Sequence, residues 1–392
     1  MAHNNNVVAL GLSGGVDSSV AAYLLKQQGY QVLGIFMRNW HDSTGLISSG
    51  CSFEQDVEFA EMVARRLQIN FQVVDLSAQY REKVVNYLFE EYAHGRTPNP
   101  DVLCNREIKF QAFWELAQQL GADHVATGHY CRIANACPSS THELALLAGV
   151  DKQKDQSYFL CQVSQLQLQH ALFPVGHLLK SQVRALALEQ RLPTAERKDS
   201  YGICFVGEVN LPIFLAQKLA PRVGNVIEIP PNATPPNTSS SLPDLARPYP
   251  LSPSMGHVIG QHQGAQFYTI GQRKGLKIGG KPLPLFVVGL DPALNIVYVA
   301  QGAQHPYLYR PAARLMPESM HWVRPSQAIQ DGQETPVLAR LRHRQPLQEA
   351  ILCAYHQQHY LRFRTPQRGI TPGQFAAWYR GEELLGSATI AE

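Results

Sequence analysis

The sequence predicts an α/β protein with a parallel sheet, followed by a β-rich C-terminal region, and three observations predict it. Short apolar runs at 7–10, 31–37, 71–76 and 124–127 alternate with stretches of helical spacing, the pattern of strands joined by helical crossovers. The tail beyond 285 breaks into short alternating runs interrupted by Pro and Gly, as in a small β-barrel. At 392 residues the chain is too long for one ordinary core, so two or three domains are expected.

The first run leads into Ser13-Gly14-Gly15-Val16-Asp17-Ser18, after which Val20, Ala21, Leu24 and Leu25 return at helical spacing. Adjacent glycines let successive backbone N–H groups converge, and the following helix aims its positive end at the same point. The result is a cradle for phosphate. Ser13, Ser18 and Ser19 add hydroxyl groups, and Asp17 adds a carboxylate that suits a metal beside phosphate. No lysine lies between Val7 and Tyr23, which excludes the GxxxxGK[ST] loop. Ligands of parallel sheets sit at the carboxyl ends of strands, where Gly11, Met37 and Gly128 fall.

Composition narrows the class. Hydrophobic content of 45% is globular, and a net charge of +3 confines any nucleic-acid surface to a local patch. The N-terminal residues carry no basic segment before a long apolar run, and no later run approaches a membrane span, so no membrane partner is expected and the cytoplasm is the default location. Seven cysteines, with no CxxC, fit neither a disulfide framework nor a zinc ribbon, and no metal-ligand cluster is expected.

Taken in order, residues 56–67 read as a helix with acids early and arginines late. In 96–110, Pro98 and Pro100 hold an extended turn and helix follows from Asn105. Cys104 then sits at or next to a helix start, where the dipole favours thiolate; a buried inert cysteine is the alternative. Residues 149–159 form a loop feeding a helix, and 178–192 form an amphipathic helix closed by Pro193. Gly202 and Gly207 flank a loop that can place Cys204. Eight prolines between 230 and 253 predict an irregular excursion. Residues 268–280 make a glycine-rich basic turn, and 285–299 a hairpin around 291–295. Arg340, Arg342 and Arg344 alternate, as do Arg362 and Arg364, so each set projects from one strand face, toward either phosphates or solvent.

SGGVDS resembles the pyrophosphate loop of the ATP pyrophosphatases, which split ATP between its α and β phosphates and adenylate a carbonyl oxygen. In order, SGGVDSS, GRTPNPDVLCNREIKF, ATGHY, KDQSYF, KDSYGICFVGE, YTIGQRKGL and TPGQ resemble the tRNA-specific 2-thiouridylases over nearly the whole chain. The resemblance implies a pyrophosphatase-type α/β catalytic domain at 1–210, a small central domain at 211–283 with the proline-rich insertion, and a tRNA-binding β-barrel at 284–392. It implies ATP on Gly11, Leu12, Ser13, Gly14, Gly15, Val16, Asp17 and Ser18, with Met37 and Gly128 near the adenosine and Mg²⁺ accompanying the nucleotide. Asn99, Pro100 and Asp101 meet the target base, and Asp101 is the candidate general acid or base. Cys104 is the implied nucleophile and Cys204 the implied persulfide carrier, loaded by a sulfur-donor protein. Lys154, Asp155 and Gln156 match a tRNA-contacting triplet; His129, Arg342, His343 and Gln374 match single contacts. Tyr201 stands where threonine is usual, and the proline-rich stretch is longer than typical. An amidating ligase of the same ATP chemistry would need an ammonia source, and no glutaminase-like region is visible. A sulfur-carrying RNA-binding protein would leave the phosphate loop unexplained.

Overall fold

Strand alternation builds the first layer of the computed structural model, which describes residues 6–41, 52–136, 143–199, 211–236 and 240–391. Strands β1 (Val7–Gly11), β2 (Gln31–Arg38), β3 (Asn70–Asp75) and β4 (His124–Ala126) pair in parallel in the order β3-β2-β1-β4, with Ala171–Leu172 beyond β4. Successive side chains point to opposite faces. Val8, Leu10, Val32 and Phe36 therefore pack with helices α1 (Val16–Gln27) and α2 (Ser52–Leu67), while Ala9, Leu33, Ile35 and Met37 meet Leu88, Phe110 and Phe113 on the other side. The chain moves outward from β1 to β3 and returns to the far side of β1 for β4. The crevice at the carboxyl ends of β1 and β4 is thus the switch point where such sheets hold ligands.

A second sheet orders Leu285–Asp291, Ile296–Gln301, Gly224–Ile229 and His257–His262. Asn295, at φ +56°, turns the hairpin read at 285–299. Its second strand runs parallel to Gly224–Ile229, so Val297 and Val299 share a core with Val226. The central sheet therefore continues to Gln301, past the division at 283 drawn from sequence. The proline-rich stretch is not wholly irregular: Ser241 caps a short helix, Leu242–Ala246, which carries Pro243 in its first turn, and Tyr249 donates to Tyr309 O at 2.9 Å.

The C-terminal sheet is antiparallel and closes on a core of Leu315, Leu352, Leu361, Trp378 and Ile390. Its strand Glu383–Thr389 also pairs with Leu144–Ala148, the second strand of a hairpin begun by Cys131–Asn135. One continuous sheet thus stitches the N-terminal unit to the C-terminal barrel. Among the described residues, no helix is long and apolar enough to cross a membrane.

Candidate functional site

The turn after β1 is set by its own groups. Ser13 N donates to Ser18 Oγ at 3.2 Å, while the Ser18 and Ser19 hydroxyls donate to Gly15 O at 3.1 and 2.8 Å. Gly14 has φ +72°, and a Cβ there would lie 2.2 Å from Asp56 O. Gly128, two residues past β4, presses on the start of α1: its Cβ would sit 2.8 Å from Ser18 N. Only glycine fits at either point, and the Gly11–Ser18 turn and Gly128 meet at the switch point. Gly11 lies against Met37, whose Cε would be 3.1 Å from an added Cβ. Leu12 is fully buried and Val16 nearly so.

Asp17 receives Lys180 Nζ at 2.7 and 2.9 Å and the Tyr130 hydroxyl at 2.7 Å. Lys180 also reaches Asp199 at 2.8 Å, which in turn pairs with Lys154 and Arg184, each at 2.9 Å. Burial would raise the Asp199 carboxyl, but Lys180 and Lys154 outweigh it and bring it to about 2. Burial, then the Asp17 charge, pushes the Tyr130 phenol up, so it remains a donor. Arg197 donates to Gly14 O at 2.7 Å and to Asp56 at 2.5 Å. Seven charges therefore converge on the loop flank, four cationic (Lys154, Lys180, Arg184, Arg197) and three anionic (Asp17, Asp56, Asp199). Sequence reasoning missed Lys180, Arg184 and Arg197, because they come from segments more than 160 residues away with no local signature.

The second candidate cluster begins with Asn99 as helix cap and Pro100 in the first turn. A proline at the first helical position is pre-set for the helix and forfeits no bond. The helix therefore starts five residues earlier than Asn105, and its turns widen to π geometry over Cys104–Ala112. Cys104 is fully buried in the second turn, beyond the first-turn reach of the dipole, so the helix-start argument for its thiolate does not hold. Asp101 is half-buried one turn before it. Asn105 Nδ2 donates to Asp101 O at 3.0 Å and Phe159 O at 3.2 Å, fixing this turn against 157–160. Cys131, Cys161 and Cys353 are buried, and burial raises each thiol, the last two to about 12. They read as inert packing thiols. Cys204 and Tyr201 lie outside the described residues.

Several residues matched to tRNA contact face inward. His129 is 8% exposed, shares a 2.7 Å hydrogen bond with Thr127 and packs on Phe110 and Phe173. Burial, then the charge of Lys109, holds it well below the usual imidazole range and so neutral. Asp155 is 5% exposed; one oxygen accepts from Gly149 N and Ser157 N, and the other from Arg340 at 3.0 Å. It forms a buried ion pair between units. Arg342 Nη2 donates to Ile270 O, Gly369 O and Thr371 Oγ1 at 2.9, 2.9 and 2.6 Å. Arg340, Arg342 and Arg344 do not share a strand face, because the strand ends at Arg340 and the chain turns. Arg362 and Arg364 do point outward, but each meets an acid, Glu334 at 3.1 Å and Glu349 at 2.6 Å. Gln156 accepts from Tyr130 N at 3.0 Å, and His343 lies 4.1 Å from the Phe159 ring centre. Gln374 donates to Thr97 O and Pro98 O at 2.8 and 3.1 Å.

Three family models match the chain: the tRNA methyl transferase HUP domain over 6–208, the tRNA methyl transferase PRC-barrel domain over 250–301, and the aminomethyltransferase beta-barrel domain over 313–390. The chain is 51% identical to the tRNA-specific 2-thiouridylase MnmA of Christiangramia forsetii, covering 98% of this chain and 99% of that one. It is 50% identical to the Flavobacterium johnsoniae protein of the same name, with the same coverage, and 42% identical to that of Bacillus subtilis over 98% and 94%. With half of its residues identical over 98% of its length, the chain belongs to the tRNA-specific 2-thiouridylase family.

Proposed function

We propose that this protein 2-thiolates the wobble uridine of tRNA, using ATP to activate the base and a cysteine persulfide as the sulfur source. The observation that carries the reading is the phosphate-sized cradle at the β1/β4 switch point, flanked by Lys180 and Arg197 and lacking a P-loop lysine. Carbon 2 of uridine is a poor electrophile because its oxygen leaves badly. Attack of that oxygen on the α phosphorus of ATP breaks the bond to the β phosphate and makes AMP the leaving group. Loop amides from Gly11 to Ser18, with Lys180 beside them, offset charge on the departing pyrophosphate. Met37 and Gly128 flank the adenosine, and Asn99, Pro100 and Asp101 receive the base, with Asp101 moving the proton.

The terminal sulfur of a Cys204 persulfide then bonds to carbon 2 and AMP leaves. The Cys104 thiolate attacks the inner sulfur, either after that bond has formed or before it, freeing hydrosulfide that then attacks carbon 2; both routes give 2-thiouridine and a Cys104–Cys204 disulfide that a thiol reductant must reopen. A persulfide-bearing donor protein loads Cys204, in a cytoplasm that keeps the thiols reduced. The described residues contain no group of three or more His, Cys, Asp or Glu able to hold a metal. Mg²⁺ accompanying the nucleotide would be held chiefly by phosphates and water, with Asp17 as the nearby carboxylate, and would neutralise phosphate charge. For tRNA, the exposed side chains of Lys154, Arg362 and Arg364 support contacts there. The test uses ATP labelled at the α or γ position with undermodified tRNA. AMP and pyrophosphate, formed only with tRNA, are expected, whereas ADP and phosphate as the main products would overturn the reading.

A further inference from the structure

We infer that Gln374 is a positioning residue, holding the segment that leads into Asp101 and Cys104. The inference rests on the functional reading above. Both protons of Gln374 Nε2 are spent on Thr97 O and Pro98 O, at 2.8 and 3.1 Å. What remains is Oε1, an acceptor, which cannot donate to a phosphate and is left for a donor such as a ribose hydroxyl. The turn around it grips the same segment. Thr97 N donates to Pro372 O at 2.9 Å, and Gly373, at φ +88°, comes so close that a Cβ would lie 2.9 Å from Thr97 N. Thr97 Oγ1 meets Thr269 Oγ1 at 3.1 Å, adding the central unit to the clamp.

These bonds add direction to packing. Thr97 and Pro98 are buried, and residues 94–97 border a cavity of about 580 Å³ where the three units meet, with Pro292 seated against Gly95. Pro98 and Pro100 have no N–H with which to anchor themselves, which leaves the two carbonyls as handles. Pro98 is three residues from Asp101 and six from Cys104, within one rigid turn and helix start. A shift of the segment therefore shifts both reacting groups. The barrel completes the active site as well as meeting tRNA.

The test uses the full chain carrying Gln374→Leu or, separately, Gly373→Ala, which moves the segment without altering any side chain able to reach RNA. Each variant is compared with wild type at matched ATP affinity, so that only folded protein is scored. At saturating tRNA the single-turnover thiolation rate should fall roughly 10²-fold in both, as expected for reacting groups displaced by about 1 Å. The tRNA Kd from filter binding, and its salt slope, should stay within about twofold of wild type. Weakened tRNA binding with an unchanged saturated rate in Gln374→Leu would overturn the inference, as would a wild-type rate in Gly373→Ala. Absence of thiolation by wild type would instead sink the functional reading, so the two failures are distinguishable.

Discussion

The phosphate loop and the Asn99–Cys104 turn are equally short, yet they are held by different means. The loop's own hydrogen bonds come mostly from neighbours: Ser13, Gly15, Ser18 and Ser19 bond among themselves, while Gly14 and Gly128 let the distant backbone close in and Arg197 adds one bond to Gly14 O. The Asn99–Cys104 turn hangs from Thr97 and Pro98, which are held from far away in the chain by Gln374, Pro372 and Thr269, 170 or more positions later. A site that makes its own geometry tolerates change elsewhere. One suspended between units responds to all of them.

That difference can be broken or sharpened by substitution. The largest effect is expected at Gly14→Ala. The left-handed backbone costs an alanine about 1–2 kcal/mol, and the collision with Asp56 O adds to it. ATP affinity by equilibrium binding should fall by roughly 10²-fold, corresponding to about 2.7 kcal/mol. Unchanged affinity would mean the loop is not rigidly self-determined.

An intermediate effect is expected at the seam. Asp155→Asn leaves the Arg340 guanidinium buried without its carboxylate, so urea unfolding should show a loss of about 3–5 kcal/mol. A loss below about 1 kcal/mol would show that the units are held by their shared sheet alone.

The smallest effect is expected on the barrel surface. Arg362→Ala with Arg364→Ala should leave thermal stability nearly unchanged, since both ion pairs are exposed. If the pairs open to meet RNA, the salt slope of tRNA binding should fall by roughly two phosphate contacts. An unchanged slope returns both arginines to solvent.

The parallel sheet was legible because its signal is periodic and local. Apolar runs at 7–10 and 31–37 needed only alternation to be read, and β1 and β2 lie there. The helix start at Pro100 was misjudged for an equally physical reason. A proline reads as a breaker in sequence, yet it suits the first helical position once Asn99 caps the turn. The 285–299 hairpin was recognised, but its sheet was not, because the partner Gly224–Ile229 is chosen by burial of Val297 and Val299. Arg340 and Arg342 could not be told from surface arginines until Asp155 and the carbonyls of Ile270 and Gly369 were in place around them.

The sequence by itself determined the sheet's strands, the glycine cradle and the motifs that mark the family, since each is carried by a short local stretch of chain. Tertiary structure alone decided that Lys180 sits on Asp17, that His129 and Asp155 are buried, and that Gln374 grips Thr97 and Pro98. Those contacts join residues separated by up to 277 positions. Their partners are selected by the burial of whole surfaces, a property that no local pattern of side chains contains.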